Sequence, residues 1–386
     1  MKKPIAVILI LLFAGSHSFC NKKEPEQQQL KQTTSASTKD VSDSPYIIEV
    51  VAEGLYVPWS IVFTDNNRIL FTERNGNLRV IQNNVLMEKP LMDFEEVSAK
   101  GEAGLLGLAL DPDYAVNKMI YVAYAYSSND GMKVKVVRYT DEGDKLTGEK
   151  PIISDIPAES YHAGCRLRFG PDGKLYITTG DAGERDLAQN TNNLFGKILR
   201  INADGSVPSD NPFPGNPVWS YGHRNPQGID WYPGTDIMYS TEHGPSGFDG
   251  PGGGDEVNVI VKGGNYGWPE VSHEESRSGM ISPVLVYTPA VAPASGMFYK
   301  SDSLPQFKNN FFFGCLRGNA IMRVVVDEKD PSKVLSAEKL SEVKFGRIRD
   351  VAEGPDGAIY FSTSNKDGRG NPADGDDKIY RIRKSN

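Results

Sequence analysis

The chain has 386 residues, with 42 Lys plus Arg against 50 Asp plus Glu and a formal net charge of −8. That acidity, with no basic block, argues against nucleic acid as a partner, and three cysteines are too few for a disulfide scaffold. The 39 glycines and 25 prolines are more than an average share and point to many turns and short strands rather than long helices.

At the N-terminus, Lys2 and Lys3 precede an apolar run from Ile5 to Phe13, too short to span a bilayer and laid out like a secretory signal. Cys20 closes it, followed by Asn21, Lys22, Lys23 and a Glu/Gln/Ser/Thr-rich stretch. Residues 1–19 therefore read as a signal peptide of lipoprotein type and 20–45 as a flexible tether, with a lipid anchor on Cys20. Phe19 and His17 depart from the usual lipoprotein pattern, and simple secretion is the alternative. Either way the protein is expected to be exported, to the periplasm or the cell surface.

Residues 46–386 carry a recurring unit: an apolar residue, a turn cluster, then an aromatic or β-branched strand. Six copies stand at 61–73, 110–124, 169–181, 231–244, 307–318 and 352–365. Pro-Asp-Gly in two of them is a turn with a mechanism, because Pro sets φ, Asp bonds its own backbone and Gly takes φ > 0. Uneven spacing points to blades with loops of different length. The predicted fold is all-β, a six-bladed β-propeller of four-stranded antiparallel blades. Ring closure pairs the strand near Ile47 with the one after Lys378.

Function must then come from the loops. His162, Gly164 and Arg166 share one face if their stretch is extended, placing a candidate base beside a cation that keeps it neutral. Arg224 and Asn225 lie in a turn between Gly222 and Gly228. Arg347 and Arg349 share a strand face and repel unless an anion or carboxylate sits between them. Arg317 adds another cation at a strand end. Gly244 and Pro245, with the Gly-rich run after them and the carboxylates Asp255 and Glu256, offer the all-oxygen ligation that Ca²⁺ prefers. No His/Cys spacing suits zinc.

The motifs are specific as an ordered series: GLLGLALDP at 104–112, HAGCR at 162–166, GKILRINADGS at 196–206, YGHRNPQG at 221–228, EHGP at 242–245, DEVN at 255–258, GGNYGWP at 263–269 and RIRDVAEGPDG at 347–357. Together they resemble the soluble PQQ-dependent aldose sugar dehydrogenases of the glucose/sorbosone dehydrogenase family. The resemblance implies a propeller holding pyrroloquinoline quinone (PQQ) and Ca²⁺ over the central channel. It makes His162 the base for the anomeric hydroxyl, and Arg224 and Asn225 the contacts to the quinone oxygens. Arg347, Arg349 and Arg317 would meet the cofactor carboxylates. Gly244 and Pro245 would hold the catalytic Ca²⁺ by their backbone oxygens, and Glu256 with Tyr266 a second one. Four positions depart from the family pattern. Glu102 replaces a Gln and Tyr161 an Asp near substrate, while Arg317 replaces a Lys and Ala290 a Thr near the cofactor.

The expected activity is oxidation of an aldose to a lactone, with electrons passing to an external acceptor, a quinone or cytochrome. The competing class is a non-catalytic extracellular propeller used for binding. The sequence is open between monomer and homodimer. Cys165 and Cys315, each close to a proposed cofactor contact, are open between a disulfide and two buried thiols.

Overall fold

The computed structural model describes residues 46–385, and the expected signal peptide, tether and lipid anchor at Cys20 lie outside them. The described strands form six antiparallel sheets arranged as the blades of a propeller, one of them with a short fifth strand, Met92–Asp93. Six inner strands line the channel: Pro58–Asp65, Leu105–Leu110, Leu167–Phe169, Pro226–Trp231, Pro293–Phe298 and Ile348–Glu353. Each begins one blade, numbered one to six in that order. Ring closure is as expected: Tyr46–Ala52 pairs with Ile379–Lys384, from Tyr46 opposite Lys384 to Ala52 opposite Ile379. The first strand of the described chain thus completes the blade built by the last three, leaving no open edge between the chain ends.

The repeat copies fall largely on the turn from inner to second strand. In blade three Asp172 Oδ1 accepts the Lys174 N–H at 3.1 Å, and in blade six Asp356 Oδ1 accepts that of Ala358 at 3.1 Å. Gly173 and Gly357 take φ of 69° and 74°, as the Pro-Asp-Gly reading requires. Second strands such as Leu175–Thr179 and Phe311–Cys315 are buried along their whole length, because each blade face packs on a neighbouring blade. Outer strands such as Asp330–Lys339 are mostly exposed. The one α-helical element among the described residues is the single turn Tyr114–Asn117, and no described helix is long and apolar enough to cross a membrane.

A buried side chain crosses the channel between its two mouths. Arg166, from blade three, reaches across to Asp350 of blade six at 3.2 Å, donates to Ser60 Oγ of blade one at 3.0 Å and stacks 4.1 Å from the Trp59 ring. This corrects the expectation that Arg166 faces His162. The stretch before Leu167 is not an extended strand: His162 and Gly164 take φ of 53° and 70°. Cys165 and Cys315 are buried, unbonded thiols in separate apolar clusters, so the disulfide alternative falls. Burial pushes the Cys165 thiol up to about 12 and raises that of Cys315 as well.

Candidate active site

One mouth of the channel opens into a cavity of about 550 Å³. Its wall is built from residues just before or at the start of the inner strands, including Glu102, His162, Arg224, Arg347 and Arg349, and from residues just after the second strands, including Arg74, His243 and Arg317. The propeller brings residues from far along the sequence to one rim because every blade presents the same two strand ends there.

His162 is 5% exposed and sits at positive φ, a conformation that a non-glycine residue rarely adopts. Gly180 permits it, since a Cβ there would collide with the His162 carbonyl. The ring Nδ1 lies 2.6 Å from Asp181 Oδ1. Asp181 Oδ2 accepts the Trp268 Nε1–H at 2.8 Å and Oδ1 the Gly183 N–H at 3.0 Å, so the carboxylate is fixed in place. A carboxylate on Nδ1 puts the proton there and leaves the Nε2 lone pair free. The arrangement is a buried His–Asp pair on a cavity wall, suited to take a proton from a bound hydroxyl.

Glu102 sits beside this pair. Its Oε2 accepts the His162 backbone N–H at 3.0 Å and its Oε1 pairs with Arg369 at 2.7 Å. Burial opposes its charge, but His243, Arg369 and His162 outweigh that and hold its pKa at about 2. His243 is itself driven toward the neutral form by burial, which makes Arg369 the steady partner.

Arg224 is 2% exposed. It pairs with Asp249 at 2.8 Å, donates to the His243 carbonyl at 3.2 Å and to Ser246 Oγ at 3.1 Å, and its backbone N–H is held by Glu242. Arg347 pairs with Asp367 at 2.7 Å, and Arg349 reaches the same oxygen at 4.0 Å. Asp367 is the carboxylate the two like charges require. Burial lowers the Arg349 pKa to about 10, which leaves it cationic at neutral pH. Arg317 is exposed, and neither it nor the buried Arg74 has a side-chain partner among the described residues.

Three buried nitrogens at this mouth also lack a hydrogen-bond partner among the described residues: Asn225 Nδ2, His243 Nε2 and Arg349 Nε. Buried polar atoms are nearly always paired, and leaving one unpaired costs about 1–3 kcal/mol. Orphaned N–H donors beside uncompensated guanidinium groups fit a flat, polyanionic ligand rich in carbonyl and carboxylate oxygens. PQQ is such a molecule, and the residues fit it.

The candidate calcium residues gather behind Arg224. Gly244 and Pro245 line the main cavity, and they share a small adjoining void with Glu242, Glu256 and Tyr266. Glu242 and Glu256 stand directly opposite on adjacent strands. Burial, then the Glu242 charge, pushes the Glu256 carboxyl well above the carboxylate range. A cation there would relieve that repulsion, so these oxygens fit Ca²⁺. Asp255 is different: its carboxylate accepts the backbone N–H groups of Gly244, Val291 and Ala292 at 2.8, 2.7 and 2.6 Å. It clamps the loops and is not a spare ligand, contrary to the sequence reading. Among the described residues no group of three or more His, Cys, Asp or Glu converges as metal ligands, so backbone oxygens must supply most of such a site.

Sequence reasoning missed Asp181, His243, Arg74 and Asp367. All four follow the second strand of a blade, at or just beyond the end of a repeat copy.

The family model described as Glucose / Sorbosone dehydrogenase matches residues 55–380. The chain belongs to that family. An aldose sugar dehydrogenase of Escherichia coli is 34% identical, over 83% of this chain and 91% of the relative. A quinoprotein glucose dehydrogenase of Acinetobacter calcoaceticus is 33% identical, over 60% of this chain and 54% of the relative. Among solved structures, the PQQ-bound form of an aldose sugar dehydrogenase from Streptomyces coelicolor matches with a TM-score of 0.77 and 32% identity, covering 88% of this chain and 98% of that one. Glucose/sorbosone dehydrogenase membership agrees with the fold, the order of the motifs and the polar mouth.

Proposed function

We propose that the protein is a PQQ-dependent aldose dehydrogenase, which oxidises the anomeric carbon of a sugar to a lactone and passes the electrons to an external quinone or cytochrome. The observation that carries this reading is the His162–Asp181 pair on the wall of a cavity also lined by Arg349, whose Nε has no partner, with the unpaired Nδ2 of Asn225 beside the lining residues Arg224 and Gln227. The family supports it, and so does the PQQ-bound relative.

When bound, PQQ supplies the two-electron oxidant that accepts the anomeric hydride, and Ca²⁺ supplies a Lewis acid beside it. Arg317, Arg347 and Arg349 would hold the cofactor carboxylates, and Arg224 with Asn225 the quinone oxygens. The backbone oxygens of Gly244 and Pro245 would hold one Ca²⁺, and Glu256 with Tyr266 a second. His162 Nε2 takes the proton of the anomeric hydroxyl. Asp181 keeps the ring oriented and stabilises the imidazolium that results. Glu102 and Arg369, at the rim, offer an acceptor and a donor to sugar hydroxyls. A propeller used only for binding has no need of a buried His–Asp pair.

Export and lipid anchoring at Cys20 rest on the sequence of residues 1–45 alone. The functional test is reconstitution: the apoprotein, given PQQ and Ca²⁺, should oxidise members of an aldose panel with an artificial electron acceptor. If no aldose in the panel is oxidised, the reading is wrong.

A further inference from the structure

Phe248 is a large apolar side chain with 70% of its surface exposed, and it belongs to none of the apolar clusters of the fold. A single exposed aromatic residue ordinarily needs no explanation. Phe248 differs in its position. It lines the cavity, and its ring lies 6.4 Å from the His162 ring at an interplanar angle of 22°. Tyr161 stands edge-on to both, 4.9 Å from His162 and 5.9 Å from Phe248. The three rings make an aromatic corner around the base.

The loop that carries Phe248 is tied down on both sides of it. Asp249 Oδ1 accepts the Ser246 N–H at 2.9 Å, and its Oδ2 pairs with Arg224 at 2.8 Å. Ser246 Oγ accepts from Arg224 at 3.1 Å, and the Asp249 carbonyl accepts from Arg185 at 3.3 Å. The next turn is closed by the Gly253 N–H on the Pro245 carbonyl at 3.2 Å. An apolar ring is therefore held at the cavity mouth by the same guanidinium that lies deeper in the wall.

We infer that Phe248 is the apolar wall of the sugar site, on which the C–H face of an aldopyranose rests while its anomeric hydroxyl meets His162. This deepens the proposed function and rests on it. A pyranose is polar around its edge and apolar on its faces wherever its hydroxyls are equatorial. An aromatic ring offers such a face a large contact at little entropic cost. The edge hydroxyls find Glu102 and Arg369 at the same rim. Sugars with equatorial hydroxyls on the stacked face are favoured over epimers that carry an axial hydroxyl there, because that hydroxyl would lose its water against the ring.

The test uses the full chain reconstituted with PQQ and Ca²⁺, as wild type, Phe248→Ala and Phe248→Tyr. Steady-state kinetics with D-glucose should show KM about ten-fold higher in Phe248→Ala, with kcat changing much less, and near wild-type values in Phe248→Tyr. Saturation-transfer NMR with methyl β-D-glucopyranoside, which has no free anomeric hydroxyl and is not consumed, should show transfer to the hydrogens of one ring face. That transfer should be lost in Phe248→Ala and kept in Phe248→Tyr. PQQ affinity, followed by titration, should be the same in all three. Unchanged KM and unchanged transfer in Phe248→Ala overturn the inference and leave the proposed activity standing. A wild type that oxidises no aldose but still shows Phe248-dependent transfer overturns the activity and keeps the sugar wall. A wild type that does neither overturns both.

Discussion

The two mouths of the channel enclose similar volumes, about 550 and 530 Å³, and differ in how their buried polar groups are partnered. At the mouth that holds His162, Arg74 and Arg317 have no partner among the described residues and three buried nitrogens are orphaned. At the other mouth Phe63, Leu110, Phe169 and Phe298, at the far ends of the inner strands, share the wall with Arg168, Asp230, Lys300 and Glu353. Its Arg168 pairs with Asp230 at 3.5 Å and its Glu353 accepts the Lys300 backbone N–H at 2.6 Å, while the exposed Lys300 ammonium, like Arg317, has no hydrogen-bond or ion-pair partner among the described residues. Cavity size therefore says little about function here. The buried, unpaired nitrogens do the distinguishing between the two mouths, since leaving them unpaired carries a cost that a ligand bound at the first mouth would relieve.

The strongest way to break this comparison is to remove the base. His162→Ala should lower kcat by at least about 10²-fold while PQQ binding persists, since general-base catalysis contributes roughly 10² to 10⁴. Lys300→Ala at the opposite mouth should leave the rate unchanged. Comparable losses in both variants would show that the mouths are not functionally distinct.

A smaller effect is expected at the unpaired cation. Arg74→Gln should weaken PQQ binding about ten- to a hundred-fold, the scale of a lost charge-assisted hydrogen bond. Arg168→Gln, which removes a cation from the other mouth, should not change it. Titration of each apoprotein with PQQ checks both, and equal affinities for wild type and Arg74→Gln would remove Arg74 from the site.

The smallest effect is one of pH, with opposite signs at the two ends. Glu102 is held at about 2, below the unfolded value of 4.5, so its stabilisation is present above that value and lost as pH falls through the folded one. Glu353 is raised, first by burial, so the folded state keeps its proton longer and loses stability as pH rises from the ordinary carboxylate range. Denaturation curves across pH should show Glu102→Gln losing most, relative to wild type, near neutrality. Glu353→Gln should gain there. Slopes of the same sign would contradict the assigned environments.

The sequence reveals more of the scaffold than of the site. The repeat copies and the pairing of the first strand with the last are local patterns, and both appear as read. Arg347 and Arg349 were legible as like charges in need of a carboxylate, but nothing local names Asp367, which a separate loop delivers. His162 stood out by type, whereas its neighbour Arg166 was misjudged. A strand period was applied to a stretch whose positive φ values break it, and the guanidinium turns into the channel instead. Asp181 is hidden for the same reason that it works. It follows one strand and meets a histidine 19 residues earlier only because the propeller folds both onto one rim.

The most direct measurement is a crystal structure of the protein soaked with PQQ and Ca²⁺. The account predicts PQQ in the mouth beside His162, with oxygens within hydrogen-bond distance of Asn225 Nδ2 and Arg349 Nε. PQQ bound at the opposite mouth, or bound beside His162 with both nitrogens still unpaired, would contradict it.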